Sequence, residues 1–251
     1  MKPGSGLGSL GAALRFLTRL PVPTRRGRGT DRAPGDLGRS VVWFPVVGAL
    51  LGALLFVAAR ALGGHLAPGL VAVALVGGHA LVTGGLHLDG LADTFDAWGG
   101  GRGDRARMLE IMRDSRIGAH GAAALALLLI AKVLAISDLL SRGTLWPLFA
   151  APIVARWAVV PLIVLFPYAR PSGLGSLFHQ QRRGTDLLIA TALIVPVAGL
   201  LGAPAARAGA AALVSALALA LALDRRLGGL TGDVYGAAIE IAELVFWAAA
   251  R

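Results

Sequence analysis

The chain has 251 residues, 56% of them apolar and only 15% charged, with a mean hydropathy of +0.71. Soluble domains carry about 25% charged residues, so an integral membrane protein fits this chain better than one or two soluble domains. The net charge is +10, but the basic residues stand between apolar runs instead of forming one basic face. That argues against a nucleic-acid partner and for anionic lipid headgroups, and the lack of Cys excludes disulfides, thiolate metal sites and cysteine nucleophiles.

The first twenty residues are interrupted by Arg15 and Arg19 and do not read as a signal peptide. Within them Leu10, Leu14 and Leu17 share one side at helical spacing. This stretch, 10–20, reads as an interfacial or packing helix ended by Pro21 and Pro23. Residues 23–40 are rich in Arg and Gly and are expected to form a mobile loop.

A membrane helix needs about 20 mostly apolar residues. Seven stretches qualify: 41–62, 66–86, 119–140, 144–166, 187–205, 208–223 and 234–250. The fifth and sixth can instead be one re-entrant hairpin. The expected fold is all-α: a polytopic membrane helix bundle of about seven transmembrane helices with an N-terminal interfacial helix. It forms one integral-membrane domain over 1–251, with 1–40 and 87–118 on the cytoplasmic side. Lys and Arg set that orientation: 18 lie in loops on the side of the N-terminus and four on the other. No internal repeat supports an inverted-repeat transporter.

Residues 87–121 hold six of the fourteen acidic residues, together with Arg102, Arg105, Arg107, Arg113 and Arg116. Asp89, Asp93 and Asp96 are spaced i, i+4 and i+7, on one helix face. Carboxylates so placed repel one another at a membrane edge unless a cation joins them. Oxygen-only ligands point to Mg²⁺ or Mn²⁺; a solvated acidic face is the plainer reading. His87 fits a general base, a metal ligand or a structural histidine. Arg113 and Arg116 flank Asp114 and Ser115 and are candidate phosphate ligands. Glu110 and Asp114 are placed to orient those arginines.

Arg156 and Lys132 interrupt apolar runs and need partners. Arg170, in a turn-forming loop, is a phosphate ligand or a topology signal. Asp233, Glu240 and Glu243 share a face of the last helix. Arg156 or Lys132 can neutralise them, or they complete the metal site from across the bundle.

Six stretches resemble the cobalamin synthase family, the adenosylcobinamide-GDP ribazoletransferases. They are residues 14–23 (LRFLTRLPVP), 44–48 (FPVVG), 84–93 (GGLHLDGLAD), 109–118 (LEIMRDSRIG), 168–175 (YARPSGLG) and 229–236 (GLTGDVYG). The resemblance implies a multi-pass enzyme of the bacterial inner membrane that requires Mg²⁺. It implies adenosylcobinamide-GDP and α-ribazole, or its 5′-phosphate, as substrates, and GMP as a product. On that reading Asp89, Asp93 and Asp96 hold metal, with Asp233 as a further candidate. Arg113, Ser115, Arg116, Arg170 and Thr231 contact substrate, and His87 or a metal-free carboxylate takes a proton. Two rivals are weaker. A CDP-alcohol phosphotransferase needs Arg where Asp93 follows Ala92, and a cation transporter needs acids near mid-membrane.

Overall fold

The computed structural model describes residues 6–22, 37–171 and 173–250. The loop expected over 23–40 lies mostly outside them. Its described residues, 37–40, are helical instead and run into a 3₁₀ turn over Arg39–Trp43. The N-terminal helix α1 runs Gly6–Leu17, and Phe16 packs edge-on to Phe178 with ring centroids 5.0 Å apart.

Five helices follow: α2 (Phe44–Leu62), α3 (Pro68–Thr83), α4 (Leu86–Gly100), the short α5 (Arg105–Ile111) and α6 (Ala119–Ser141). Then come α7 (Trp146–Leu165), α8 (Leu174–Gln181), α9 (Gly184–Leu227) and α10 (Gly232–Ala249). Among the described residues there is no strand; a lone parallel bridge joins Tyr168 and Leu230. Helix α7 lies at the centre of the bundle, packed by α2, α9 and α10. Helix α10 packs in turn on α4 and α6.

The apolar helices fit a multi-pass membrane protein, but the expected seven spans are not all present as such. Four helices, over 39–62, 119–141, 146–165 and 199–227, are long and apolar enough to cross a bilayer. The expected span 66–86 breaks: α3 and α4 meet at 92° and together make at most a fifth span. Gly84 and Gly85 take left-handed φ values of 66° and 69° there, a conformation that costs other residues free energy. The boundary expected near 206 falls at Gly202, whose φ of 70° kinks α9 just before Pro204. That leaves a shorter apolar segment, Gly184–Val197, before the kink. The last expected span, α10, carries Asp233, Glu240 and Glu243, and its acids are held by partners inside the protein.

The 87–118 segment, expected on the cytoplasmic side with a helical acidic face, holds α4 as far as Gly100 and then α5, and α4 packs inside the bundle. Helices α4 and α10 cross where glycine permits close approach. A Cβ on Gly90 would lie 2.8 Å from the Asp233 carbonyl oxygen, and one on Gly236 3.2 Å from the His87 Cα. Small residues at such crossings let two backbones approach closely. The crossing carries Asp233 to the acidic face of α4.

Candidate active site

The bend at Gly84-Gly85 opens one wall of a cavity of about 400 Å³. Asp89 and Asp93 line it from α4, Ser115 and Arg116 from the segment before α6, and Arg19 from the end of α1. Hard anionic oxygens and guanidinium groups thus share one solvent-reaching space. Asp93 also lies in the field of Asp233 and Asp96, with Arg170 as the countering cation.

Asp96 is placed differently from its two companions. Its carboxylate is buried and accepts the N–H groups of Gly118 at 2.7 Å and Gly121 at 2.8 Å. Gly118 is the N-cap of α6 and has no side chain to cap with. Asp96 supplies the missing acceptor from a different helix, where the positive end of the α6 dipole favours an anion. Two helical turns, about 10 Å of rise, separate it from Asp89.

His87 is also turned from the cavity. It is 3% exposed, and neither ring nitrogen has a hydrogen-bond partner among the described residues. The charges around it are those of Arg156, Glu243 and Lys132. Those three belong to a buried ionic cluster. Lys132 Nζ donates to Glu240 at 2.5 Å and to Glu243 at 2.8 Å, and Arg156 is bound to Glu243. This is the ion pairing expected of Glu240 and Glu243, and it places both away from the cavity wall.

The substrate-binding candidates divide. Arg116 grips Asp114 through Nη2 at 2.6 Å and Nε at 3.0 Å. Hydrogen bonds from the Arg116 side chain and backbone hold the Asp114 carboxyl down at about 2. Glu110 pairs with Arg107 rather than with Arg113. Arg113 is exposed and does not line the cavity. Arg105 donates to the Leu227 carbonyl at 2.6 Å and to that of Ala169 at 3.2 Å, and so closes the C-terminal end of α9.

Arg170 donates to Asp233 at 2.7 Å and to the Met112 carbonyl at 3.3 Å. It ties the loop after α7 to the start of α10 and to the segment that carries Ser115 and Arg116. Thr231 is buried and N-caps α10, accepting the Val234 N–H at 3.4 Å and donating to Asp233 at 3.2 Å. Burial works against the charged form of Asp233, and Arg170 and Thr231 offset it.

Among the described residues no three His, Asp or Glu side chains converge as a ready-made metal cage. Mg²⁺ does not require one. It is commonly held by one or two carboxylates, with waters and substrate phosphates completing the octahedron. The pair Asp89 and Asp93 fits that donor set. Arg19 is the charged cavity residue that the sequence did not single out as a site residue. Its signal was present in the arginine that closes LRFLT before LPVP, but a polar face on an amphipathic helix explained it equally well.

The chain is similar to known proteins along almost its whole length. The family model described as cobalamin-5-phosphate synthase matches residues 9–250. An adenosylcobinamide-GDP ribazoletransferase from Klebsiella pneumoniae strain 342 is 47% identical over 238 residues, covering 94% of this chain and 96% of the relative. The protein of the same name from Citrobacter koseri is 46% identical over 246 residues, and one from Escherichia coli O17:K52:H18 is 43% identical over 242, with the same coverage. No solved structure matches. With the match running from α1 through the last helix, the chain belongs to the cobalamin-5-phosphate synthase family.

Proposed function

We propose that this chain joins adenosylcobinamide-GDP to α-ribazole, or to its 5′-phosphate, and releases GMP. A ribazole hydroxyl oxygen bonds to the corrinoid-side phosphorus, the bond from that phosphorus to the GMP oxygen breaks, and the hydroxyl proton leaves to a base. The observation that carries the reading is the shared cavity of Asp89, Asp93, Ser115 and Arg116, in a chain 47% identical to a protein named for this transfer.

Phosphoryl transfer needs little covalent help from the protein. Positioning and charge stabilisation supply most of the rate. Asp89 and Asp93 would hold Mg²⁺, which when bound neutralises charge on phosphate oxygens. Arg116, fixed by Asp114, presents its guanidinium at the cavity wall and would hold the nucleotide side of the substrate. Ser115 offers a hydroxyl donor there. Arg170 and Asp233 would hold the start of α10 and the segment after α5 in register beside the site, as Asp96 does for the segment leading into α6. A carboxylate oxygen of the Asp89–Asp93 pair not engaged by metal lines the same cavity and would accept the hydroxyl proton. His87, enclosed beside Arg156, is poorly placed for that step.

The cavity-bearing end is proposed to face the cytoplasm, in a bacterial inner membrane. The excess of Arg and Lys in the loops at that end supports this. The contacts of Arg105 with Leu227 and Ala169 gather three of those loops at one end of the bundle.

Purified protein mixed with Mg²⁺, GDP-cobinamide and α-ribazole should release GMP and form a cobalamin. Cation flux without nucleotide cleavage would replace this reading with the transporter.

A further inference from the structure

Two guanidinium groups line the acidic cavity, and their situations differ. Arg116 is already bound by Asp114. Arg19 is exposed and, among the described residues, has no carboxylate partner. Arg170, the next cation, is engaged by Asp233. Arg19 is therefore the uncommitted cation of the site.

Its placement is not that of a loose surface arginine. The Arg19 N–H donates to the Val82 carbonyl at 2.7 Å, which fastens the chain after α1 to the last turn of α3. Thr18 is buried, and its hydroxyl bonds back to the Leu14 carbonyl at 2.7 Å. The side chain then lies directly across Gly84, where any Cβ would collide with its Nε and Cγ. The left-handed glycine that bends α3 into α4 is also the bed on which Arg19 rests. Backbone anchoring on one side and a fitted track on the other aim the guanidinium into the space bounded by Asp89 and Asp93.

Charge balance says what such a group would take. One divalent cation cancels Asp89 and Asp93, and Asp114 cancels Arg116. A diphosphate joined to organic groups at both ends keeps two negative charges. Arg116 can still donate hydrogen bonds to them, but Arg19 alone brings an uncancelled positive charge to the cavity wall.

We propose that Arg19 is a substrate-binding residue, donating to a non-bridging oxygen of the diphosphate, and that the end of α1 is part of the active site. This rests on the phosphoryl-transfer reading above. Under it, α1 orders the nucleotide-activated substrate in addition to any role at the bilayer surface.

The test compares the full-length wild type with Arg19→Ala, Arg19→Lys and, as a control on α1 itself, Arg15→Ala. Steady-state kinetics and calorimetric binding of inorganic pyrophosphate with Mg²⁺ are both read. Arg19→Ala should raise KM for the GDP-activated substrate about 10- to 100-fold, leave KM for α-ribazole unchanged and weaken pyrophosphate binding. Arg19→Lys should recover part of the loss, and Arg15→Ala should match wild type. A purely structural arginine would lower the melting temperature or kcat without this selectivity. Unchanged KM and unchanged pyrophosphate affinity in Arg19→Ala overturn the proposal. If wild type binds pyrophosphate through Arg19 yet releases no GMP, the transferase reading fails and the anion site stands. If wild type neither binds nor reacts, both fall.

Discussion

The Asp96 carboxylate accepts the N–H of Gly118 at 2.7 Å, across 22 residues of chain. The bond pins the segment with Ser115 and Arg116 to the helix that carries Asp89 and Asp93. Its role is to hold the two halves of the cavity together. Asp96→Ala strands two N–H groups, those of Gly118 and Gly121, and should cost about 1–3 kcal/mol. Asp96→Asn should cost less. The expected signature is a lower melting temperature and faster proteolysis after Arg113 or Arg116, with the Mg²⁺ dependence of any remaining activity unmoved. A large shift in the Mg²⁺ requirement at unchanged melting temperature would return Asp96 to the metal ligands.

Asp89 and Asp93 should behave in the opposite way. Each faces the cavity, and each repels the other's charge. Neutralising either by Asn removes a metal ligand, at a cost in kcat of about 100-fold or more. It also relieves like-charge repulsion, so the melting temperature should hold or rise. Turnover at the wild-type rate by Asp93→Asn in Mg²⁺ buffer would take that residue out of the site.

The contrast among these acids shows how far the sequence could be read. Helical spacing put Asp89, Asp93 and Asp96 on one face, and they are on one helix. Spacing along a helix does not reveal what lies opposite each residue. Asp96 meets the start of α6, a contact made by tertiary packing alone. For His87 the signal was available: two positions before Asp89 is roughly 200° around a helix, so the two could not face the same space. The all-helical class followed from apolar length. The break at Gly84-Gly85 did not, because paired glycines are equally at home in straight membrane helices that pack closely. Arg156 and Lys132 announced a need for partners by interrupting apolar runs, and Glu240 and Glu243 proved to be those partners.

Metal removal is a separate test of the donor set. With carboxylate oxygens and no His or Cys on the cavity wall, chelation should abolish GMP release, and Mg²⁺ or Mn²⁺ should restore it. Activity that survives exhaustive chelation would leave Asp89 and Asp93 without their proposed task.

The natural absence of Cys makes orientation directly measurable. Gly64, in the turn between α2 and α3, and Ala106, on α5, are both exposed. A membrane-impermeant maleimide should label Gly64→Cys in intact spheroplasts and Ala106→Cys only after lysis. The reverse pattern would place the cavity outside the cytoplasm.

The buried cluster beside His87 should govern stability and leave catalysis alone. Two cations, Lys132 and Arg156, meet two anions, Glu240 and Glu243, with Lys132 also 5.3 Å from the Trp247 ring centroid. All four side chains are almost wholly enclosed. Removing one charge leaves another unpaired in a medium that solvates it poorly, so Lys132→Met should cost about 3–5 kcal/mol in detergent unfolding. Adding Glu240→Gln removes the anion most dependent on Lys132 and leaves Arg156 paired with Glu243. The double variant should therefore be more stable than Lys132→Met alone. Its KM values should match wild type, because none of these residues lines the acidic cavity. A double variant no more stable than the single one would mean that the cluster is not an ion-paired unit. One that folds normally but loses turnover would draw the cluster, and His87 with it, into the reaction.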